Sequence, residues 1–195
     1  GLDEAVAPGS LAVPEQYLDW TRGQRARTFF GDGVAAHVST AYPVSRAMVD
    51  WIEHGAEQLG LRLHRDLTYA CVEGPRLGTR AESFFLRGAG CQLVGMTNVP
   101  EAFLAREAQL GYATVGLVTD YDCWLDDPAQ HVSVAQVFER YGQTLAQAKT
   151  LLMQLLTQPQ PDIEAAARSA LASALVTPLA SLSAAQRDWL AVLQR

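Results

Sequence analysis

Residues 67–80 have the sequence Leu67-Thr-Tyr-Ala-Cys-Val-Glu-Gly-Pro-Arg-Leu-Gly-Thr-Arg80. The first six residues are largely apolar, which is typical of a short strand buried on both faces of a sheet. The Gly74-Pro75 pair then breaks the strand, and a helix is predicted from about Thr79 to Arg87. A buried strand followed at once by a helix indicates a parallel α/β sheet.

Strand and helix patterns continue to alternate on both sides of this unit. Apolar residues between Pro43 and Gly60 repeat at the i, i+3, i+4 spacing of an amphipathic helix. The pattern as a whole predicts an α/β fold with a mostly parallel mixed sheet flanked by helices. Further predicted elements are strands at Gln92–Met96 and Ala113–Val118, and a helix at Pro100–Leu110.

The C-terminal part of the sequence is predicted to be helical. Ser133 followed by Gln136 is a capping-box pattern, and it predicts the start of a long helix with one apolar stripe. Residues 157–161 contain two prolines and form a linker. Two more helices are predicted at Ile163–Leu175 and Ala184–Gln194, the second after a Ser183–Gln186 capping box.

Length and composition favour one domain and a small ligand. A chain of 195 residues with 49% hydrophobic residues can bury one core. We predict a single domain of residues 1–195, with a core at 1–156 and a helical tail at 157–195. The net charge of -6 and the lack of a basic run argue against nucleic acid or an anionic membrane as partner.

Other features predict a cytoplasmic protein without a metal. No apolar run approaches the roughly 20 residues needed to span a bilayer, and the sequence begins without a signal-peptide pattern. The cysteines, at positions 71, 91 and 123, are odd in number and far apart. They therefore suggest neither a disulfide framework nor a zinc site.

Ligands of parallel α/β sheets bind beyond the carboxyl ends of the strands. Three predicted loops follow strands in this way, at Gly74–Arg80, Gly95–Asn98 and Thr119–Asp122. The Gly-Pro-Arg run in the first loop offers backbone N–H groups and a guanidinium to an anion, although a turn held by an arginine salt bridge is the favoured interpretation.

The pair Asp120 and Asp122 is the sharpest local feature. Two carboxylates two residues apart after a buried strand repel each other, so that one can carry a proton near neutral pH. The spacing alone also fits a solvated turn, a helix cap or a Mg²⁺ site. The residues by themselves leave these alternatives open.

Taken together, three runs resemble one enzyme family in order and spacing. The first run is Thr68–Ser83 and includes the loop Gly74–Arg80. The second is Gly95-Met-Thr-Asn-Val-Pro-Glu-Ala-Phe-Leu-Ala-Arg-Glu107. The third is Tyr112-Ala-Thr-Val-Gly-Leu-Val-Thr-Asp-Tyr-Asp-Cys-Trp124. The family is the 5'-methylthioadenosine phosphorylase branch of the trimeric purine nucleoside phosphorylases, and the resemblance covers roughly residues 1–156. It implies the nucleoside phosphorylase fold, a cytoplasmic homotrimer and a place in purine and methionine salvage.

The resemblance implies phosphorolysis of 5'-methylthioadenosine to adenine and 5-methylthioribose 1-phosphate. Inorganic phosphate is then a co-substrate, and no cofactor or metal is expected. Asp120 is expected to share or donate a proton at purine N7, and Asp122, together with Asp120, to accept from the 6-amino group. A carboxylate accepts from an amine but meets the lone pairs of a 6-keto oxygen, so aspartates favour adenine.

The resemblance also assigns the remaining site residues. Met96 is expected to pack under the ribose, and Thr97 to hydrogen-bond the phosphate. Val134 and Val137 are expected to form the apolar wall for the 5'-methylthio group, and His37 to approach this pocket from the adjacent subunit. Two residues depart from the family pattern: Leu77 stands where a phenylalanine is usual, and Gly78 where a serine or threonine is common.

The resemblance leaves two alternatives. The departures at positions 77 and 78 remove an aromatic face and a hydroxyl, and a 6-oxopurine or methylthioinosine substrate is therefore the second hypothesis. The family's N-terminal strands, with a Gly-Gly-Thr-Gly loop that grips phosphate, have no counterpart in these 195 residues. The chain is accordingly expected to be a fragment, and the third hypothesis is a catalytically inactive remnant that binds a ligand or another subunit.

Overall fold

The computed structural model describes residues 1–23, 25–31, 33–125 and 134–194. Four strands form one mixed sheet in the order β3-β2-β1-β4. The first three strands are parallel, and β4 is antiparallel to β1. This confirms the predicted mostly parallel mixed sheet. The strands are β1 Leu11–Trp20, β2 Leu63–Val72, β3 Leu93–Gly95 and β4 Gly116–Leu117.

Helices cover the sheet and continue into the C-terminal part. Among the helices whose starts are described, two begin with capping boxes, α2 at Thr79 with Glu82 and α6 at Ser183 with Gln186, which confirms the predicted Ser183 box. No described helix is both long and apolar enough to cross a bilayer. The described helices are α1 Arg46–Gln58, α2 Arg80–Gly88, α3 Glu101–Glu107, α4 Val134–Leu156, α5 Ala165–Arg168 and α6 Ala184–Leu193.

Apolar side chains of β1 point alternately to the two faces of the sheet. Leu11 and Val13 pack with α1 and α4 on one face, and Ala12 packs with Tyr69 and Leu93 on the other. All of these side chains are buried. Because strands buried on both faces lose most of their contact with water, they are apolar on nearly every residue.

Strand β1 is the element that the sequence patterns above do not predict. It contains Pro14, which has no N–H to donate to a neighbouring strand. The register between β1 and β2 shifts on both sides of this proline, between Ala12 and Pro14 and between Pro14 and Gln16. These irregularities accommodate a proline in a strand that is paired on both sides.

All three predicted strands differ from the structure in extent, and one differs also in direction; β3 is one residue shorter at each end than predicted. The first, β2, begins at Leu63, four residues before the predicted start. The last, β4, has two residues instead of six, and it runs antiparallel to β1. Ala113 and Val115 lie outside the strand and form no strand pairing with the described residues. Their apolar side chains pack against the hydrophobic cluster between α1 and α4. Residues 119–122 therefore do not follow a parallel strand, contrary to the prediction.

The predicted helix at Ile163–Leu175 is wrong beyond α5. Leu171 N–H donates to the Gln109 side chain at 2.9 Å, and Val176 N–H donates to the Ala35 carbonyl at 2.9 Å. Residues 169–174 thus form turns with local bonds, such as Ala172 N–H to the Ser169 carbonyl at 3.0 Å, and they also bond to other segments. The predicted helix at Pro100–Leu110 is also shorter, since α3 begins after Pro100 and ends at Glu107. Ser133, of the other predicted capping box, lies outside the described residues.

The predicted tail packs on residues 30–38. Phe30 and Val34 share a buried cluster with Leu171, Leu182 and Leu190. Next to His37, Ala36 forms an isolated antiparallel bridge with Leu175. These contacts bury one face of the tail against the core.

Candidate active site

One cavity of about 180 Å³ collects residues from all three predicted loops. It lies beside the carboxyl ends of β2 and β3 and the beginning of α2. Its walls include five of the residues singled out from the sequence: Leu77, Gly78, Met96, Asp120 and Asp122. The structure therefore brings together residues up to 45 positions apart in the chain.

The two aspartates reach the cavity on the aspartate loop, residues 119–124, which is bonded to Gly1. Asp122 N–H donates to the Gly1 carbonyl at 3.0 Å, and the Gly1 nitrogen donates to the Asp120 carbonyl at 2.6 Å. Leu2 N–H in turn donates to the Gln92 carbonyl, next to β3. Residues 1 and 2 thus bridge β3 to the aspartate loop, which explains how an antiparallel β4 still leads into this cavity.

A threonine orients the first carboxylate. Thr119 Oγ1 donates to Asp120 Oδ2 at 2.7 Å. This bond leaves the other carboxylate oxygen of Asp120 to meet a ligand group. Asp120 and Asp122 are both partly exposed, so the cavity can accept a polar ligand edge at this end.

The loop before α2 is held by an ion pair. Arg76 donates to both carboxylate oxygens of Glu82, at 2.6 and 2.8 Å, and Glu82 also accepts from Thr79 N–H. The Arg76 guanidinium and the Thr79 N–H lower the pKa of Glu82 to about 2. The Gly-Pro-Arg run thus forms the turn held by an arginine salt bridge that was one of its two interpretations. Leu77 lies at the cavity mouth with 82% of its surface exposed.

Met96 and Thr97 follow β3, but only the Met96 side chain lines the cavity. A Cβ atom built on Gly74 would lie 2.8 Å from Met96 Sδ, so the methionine packs directly on the Gly74 backbone beside the cavity. Thr97 does not line the cavity. Its N–H donates to the Tyr69 hydroxyl at 3.3 Å, and its Oγ1 lies 3.4 Å from the same oxygen.

A buried polar cluster lies beneath the turn that follows Thr97. Asn98 adopts a positive φ of 72° and is only 7% exposed. The hydroxyls of Tyr112 and Thr114 lie 3.5 and 3.3 Å from Asn98 Oδ1. Burial raises the pKa of Tyr112 and of Tyr69, which keeps both phenols neutral as hydrogen-bond donors and acceptors. The cluster fixes a backbone conformation that few residue types adopt.

Glu73 is a cavity residue that the sequence reasoning missed. It follows the last residue of β2, and this position at a strand end is the signal that could have identified it. Arg25 donates to Glu73 Oε1 through Nε at 3.3 Å and through Nη2 at 3.0 Å, and its Nη1 donates to the Val99 carbonyl at 2.6 Å. Arg25 therefore joins the segment after β1 to the wall of the cavity.

Three predicted site residues lie elsewhere or are only partly described. His37 is exposed, does not line the cavity, and is held by its N–H to the Ala174 carbonyl at 2.8 Å. Val134 and Val137 belong to the first turns of α4, but their side chains lie outside the described residues. The roles predicted for these residues at a 5' group stay predictions.

The described residues contain no group of three or more His, Cys, Asp and Glu side chains that could hold a metal ion. The Asp120–Asp122 pair lies instead next to backbone and to Thr119. The prediction that the reaction uses no metal or cofactor stays a prediction.

Comparison with known sequences identifies relatives over most of the chain. Residues 1–156 match the model of the phosphorylase superfamily. The S-methyl-5'-thioadenosine phosphorylase of Geobacter sulfurreducens is 38% identical over 187 residues, which cover 96% of this chain and 65% of the relative. A protein of the same name from Thermosynechococcus vestitus is 41% identical, with 98% of this chain and 67% of the relative covered. The chain thus spans about two thirds of the length of these curated relatives, and less than two thirds of the Geobacter protein.

Solved structures give the same result. A methylthioadenosine phosphorylase from an antarctic soil metagenomic library superimposes with a TM-score of 0.88 at 39% identity, covering 98% of this chain and 68% of that one. The methylthioadenosine phosphorylase of Schistosoma mansoni in complex with adenine has a TM-score of 0.74 at 30% identity, covering 80% of this chain and 61% of that one. The second comparison concerns a protein that holds a purine base.

Proposed function

The chain belongs to the phosphorylase superfamily, and from this membership we propose that the protein cleaves 5'-methylthioadenosine with inorganic phosphate. The products are adenine and 5-methylthioribose 1-phosphate, which makes the protein a pentosyltransferase of purine and methionine salvage. One observation carries the proposal: Asp120 and Asp122 share the wall of a single cavity with Met96. The names of the relatives support the choice of substrate.

The aspartates act on the leaving group. Cleavage of the bond to C1' leaves negative charge on the purine, and a proton shared at N7 lowers the barrier by neutralising it. Asp120 is positioned for this task by the Thr119 hydroxyl, which occupies one of its oxygens. Asp122, with Asp120, accepts from the 6-amino group, because a carboxylate is an acceptor only.

The ribose and phosphate lie next to the turn after β3. Met96 packs under the ribose, since it lines the cavity from its place on Gly74. Thr97, one residue further on, donates its hydroxyl to the phosphate. Its exposed side chain supports this role, and Tyr69 holds its backbone. Phosphate is a co-substrate here, and no cofactor is proposed.

The 5' group extends beyond the described cavity. Val134 and Val137 form its apolar wall, and His37 approaches it from the neighbouring subunit of a homotrimer. The exposed position of His37 supports a contact with a second copy, because it is available on the surface of one chain. We place the protein in the cytoplasm, in keeping with three cysteines that are all unpaired.

A 6-oxopurine nucleoside, such as methylthioinosine, is a second candidate substrate. It is favoured by the exposure of Leu77, which leaves the purine without a stacked side chain at the mouth of the cavity, and by the absence of a hydroxyl at Gly78. A less constrained base could then turn its 6-position away from the aspartates.

Product analysis tests the proposed function. The protein expressed from its complete reading frame is incubated with 5'-methylthioadenosine, with and without phosphate, and adenine and the sugar product are quantified. We expect adenine release that depends on phosphate, together with 5-methylthioribose 1-phosphate. Equal release in the absence of phosphate would indicate hydrolysis and would contradict the proposal. The same assay with methylthioinosine decides between the two substrates, and no turnover of either leaves only a binding function.

A further inference from the structure

Arg87 and Trp124 lie outside the cavity lining but contact the segments that hold the aspartate loop. The guanidinium carbon of Arg87 lies 3.7 Å from the centroid of the Trp124 ring, a close cation–π contact. Arg87 Nη1 also donates to the Leu2 carbonyl. Both side chains are partly buried, so the contact is shielded from bulk water.

Trp124 is joined to Asp122 through one shared acceptor. Its indole Nε1 donates to the Gly1 carbonyl at 2.9 Å, and Asp122 N–H donates to the same oxygen at 3.0 Å. The tryptophan side chain therefore folds back toward the backbone that carries the second aspartate. The Tyr121 ring packs edge-on against Trp124, with the ring centroids 5.7 Å apart, and so holds the tryptophan ring against the rest of the aspartate loop.

Helix α2 connects this arrangement to the rest of the cavity. Glu82, Ser83 and Leu86 of α2 line the cavity, and Arg87 follows them in the last turn. The cation–π contact thus ties the aspartate loop to a helix that forms another part of the same wall. Recognition of a ligand edge by two carboxylates requires their positions to be held within roughly 0.5 Å, which is the usual task of residues behind a site.

We propose that Arg87 and Trp124 are positioning residues that hold Asp120 and Asp122 and thereby set the preference for a 6-aminopurine over a 6-oxopurine. This inference rests on the proposed function, since it assumes that the aspartates meet the 6-position of the base. Arg87 acts through the Trp124 ring, and Trp124 acts through the Gly1 carbonyl. Neither residue touches the base.

Binding of free bases to the protein expressed from its complete reading frame tests the inference. Isothermal titration calorimetry with adenine and with hypoxanthine gives a ratio of dissociation constants for the wild type and for the variants Arg87→Leu and Trp124→Phe. The phenylalanine keeps a ring beneath Arg87 but has no N–H for the Gly1 carbonyl. We expect the adenine preference to fall about tenfold in both variants, the effect of losing one or two well-placed polar contacts. Arg80→Leu is the matched control, because it removes the same charge from α2 and its guanidinium lies over the Phe84 ring.

The ratio separates positioning from stability. Partial unfolding lowers the apparent affinity for both bases by the same factor, and so it leaves the ratio unchanged. A wild type that prefers adenine, with variants that keep the full preference, would overturn the inference and leave the proposed function standing. A wild type without any preference would contradict the proposed role of the aspartates, and the inference with it. If Arg87→Leu does not fold, Arg87→Lys keeps the charge and loses the planar stack, and a partial loss of preference is expected.

Discussion

The hydroxyl of Tyr69 occupies the space that a side chain at Gly95 would need. A Cβ atom built on Gly95 would overlap the hydroxyl oxygen and lie 2.8 Å from the ring carbon that carries it. Tyr69 is 8% exposed and packed in the core, so it has little room to move. The glycine at the end of β3 is therefore what allows Tyr69 to reach Thr97.

Gly95→Ala is expected to destabilise the fold. Overpacking a well-filled site typically costs about 1–3 kcal/mol, and the neighbour here is a buried aromatic ring. Urea unfolding measures the loss. Gly142→Ala is the control, because a Cβ atom at this position of α4 meets nothing within 4 Å, and alanine in an exposed helix interior stabilises by up to about 1 kcal/mol. Equal stabilities of the two variants would show that Tyr69 does not fill the space at Gly95.

Tyr69→Phe is expected to weaken the use of phosphate. The change removes the oxygen that accepts from Thr97 N–H and lies near Thr97 Oγ1. Steady-state kinetics with varied phosphate measures the effect, and we expect KM for phosphate to rise about fivefold, the equivalent of one lost hydrogen bond, while KM for the nucleoside stays the same. Tyr17→Phe is the control, since the Tyr17 hydroxyl contacts Thr114 at 3.5 Å and not Thr97. An equal rise of both Michaelis constants would argue against a phosphate contact at Thr97.

Asp120→Asn is expected to shift the base preference toward 6-oxopurines. The asparagine oxygen can accept from Thr119 as the carboxylate does, which leaves the amide N–H₂ to donate to a keto oxygen. The ratio of kcat/KM for methylthioadenosine to that for methylthioinosine should fall by about tenfold or more. Asp162→Asn serves as the control, because Asp162 is exposed and pairs with Arg168 at 3.2 Å. An unchanged ratio in the Asp120 variant would rule out contact between this residue and the 6-position.

Glu164 makes part of the stability depend on pH. Burial acts to raise its pKa, but the Ala47 N–H and the Ser45 hydroxyl outweigh burial and lower the pKa below the usual 4.5. A carboxylate with a lowered folded pKa contributes stability above pH 4.5 that is lost as the pH falls through the folded value. Its two bonds, at 2.9 Å to Ser45 Oγ and 2.6 Å to Ala47 N–H, hold the start of α1.

Glu164→Gln is therefore expected to unfold more easily at neutral pH, by about 1 kcal/mol, the effect of a lost helix cap. The difference from the wild type should shrink as the pH falls from 4.5 through the lowered folded pKa, where the wild-type carboxylate also becomes neutral. Urea unfolding over this pH range measures both effects. Glu4→Gln, at an exposed position, is the control. A difference that persists unchanged in acid would mean that the charge of Glu164 does not contribute.

Sequence patterns predicted the elements whose stability depends on residues close in sequence. The cap at Ser183 and the alternation of strands and helices depend on residues close in sequence, and they were confirmed. Strand β1 was missed because Pro14 argues against a strand unless the register shifts, and such shifts depend on the neighbouring strand. The helix predicted to Leu175 ends early because the Gln109 side chain accepts from Leu171 N–H and the His37 N–H donates to the Ala174 carbonyl, both from other parts of the chain.

Five of the predicted site residues share the cavity, but the geometry that brings them together was not predicted. Asp120 was placed at the carboxyl end of a parallel strand, whereas β4 is antiparallel and the loop is held by Gly1. Glu73 carried only a positional signal, and its partner Arg25 is 48 residues away. Contacts between segments that are distant in sequence have no local pattern, so a single sequence does not predict them.

The bonds between the aspartate loop and Gly1 join residues that are 119 to 123 positions apart. Contacts of such long separation carry a large loop-closure entropy, and they form after local helices and neighbouring strands in most small proteins. We therefore expect the aspartate loop to be among the last regions to acquire protection from hydrogen exchange during refolding. Adenine would then bind only to molecules that have completed folding, and it would act as a reporter of the final step.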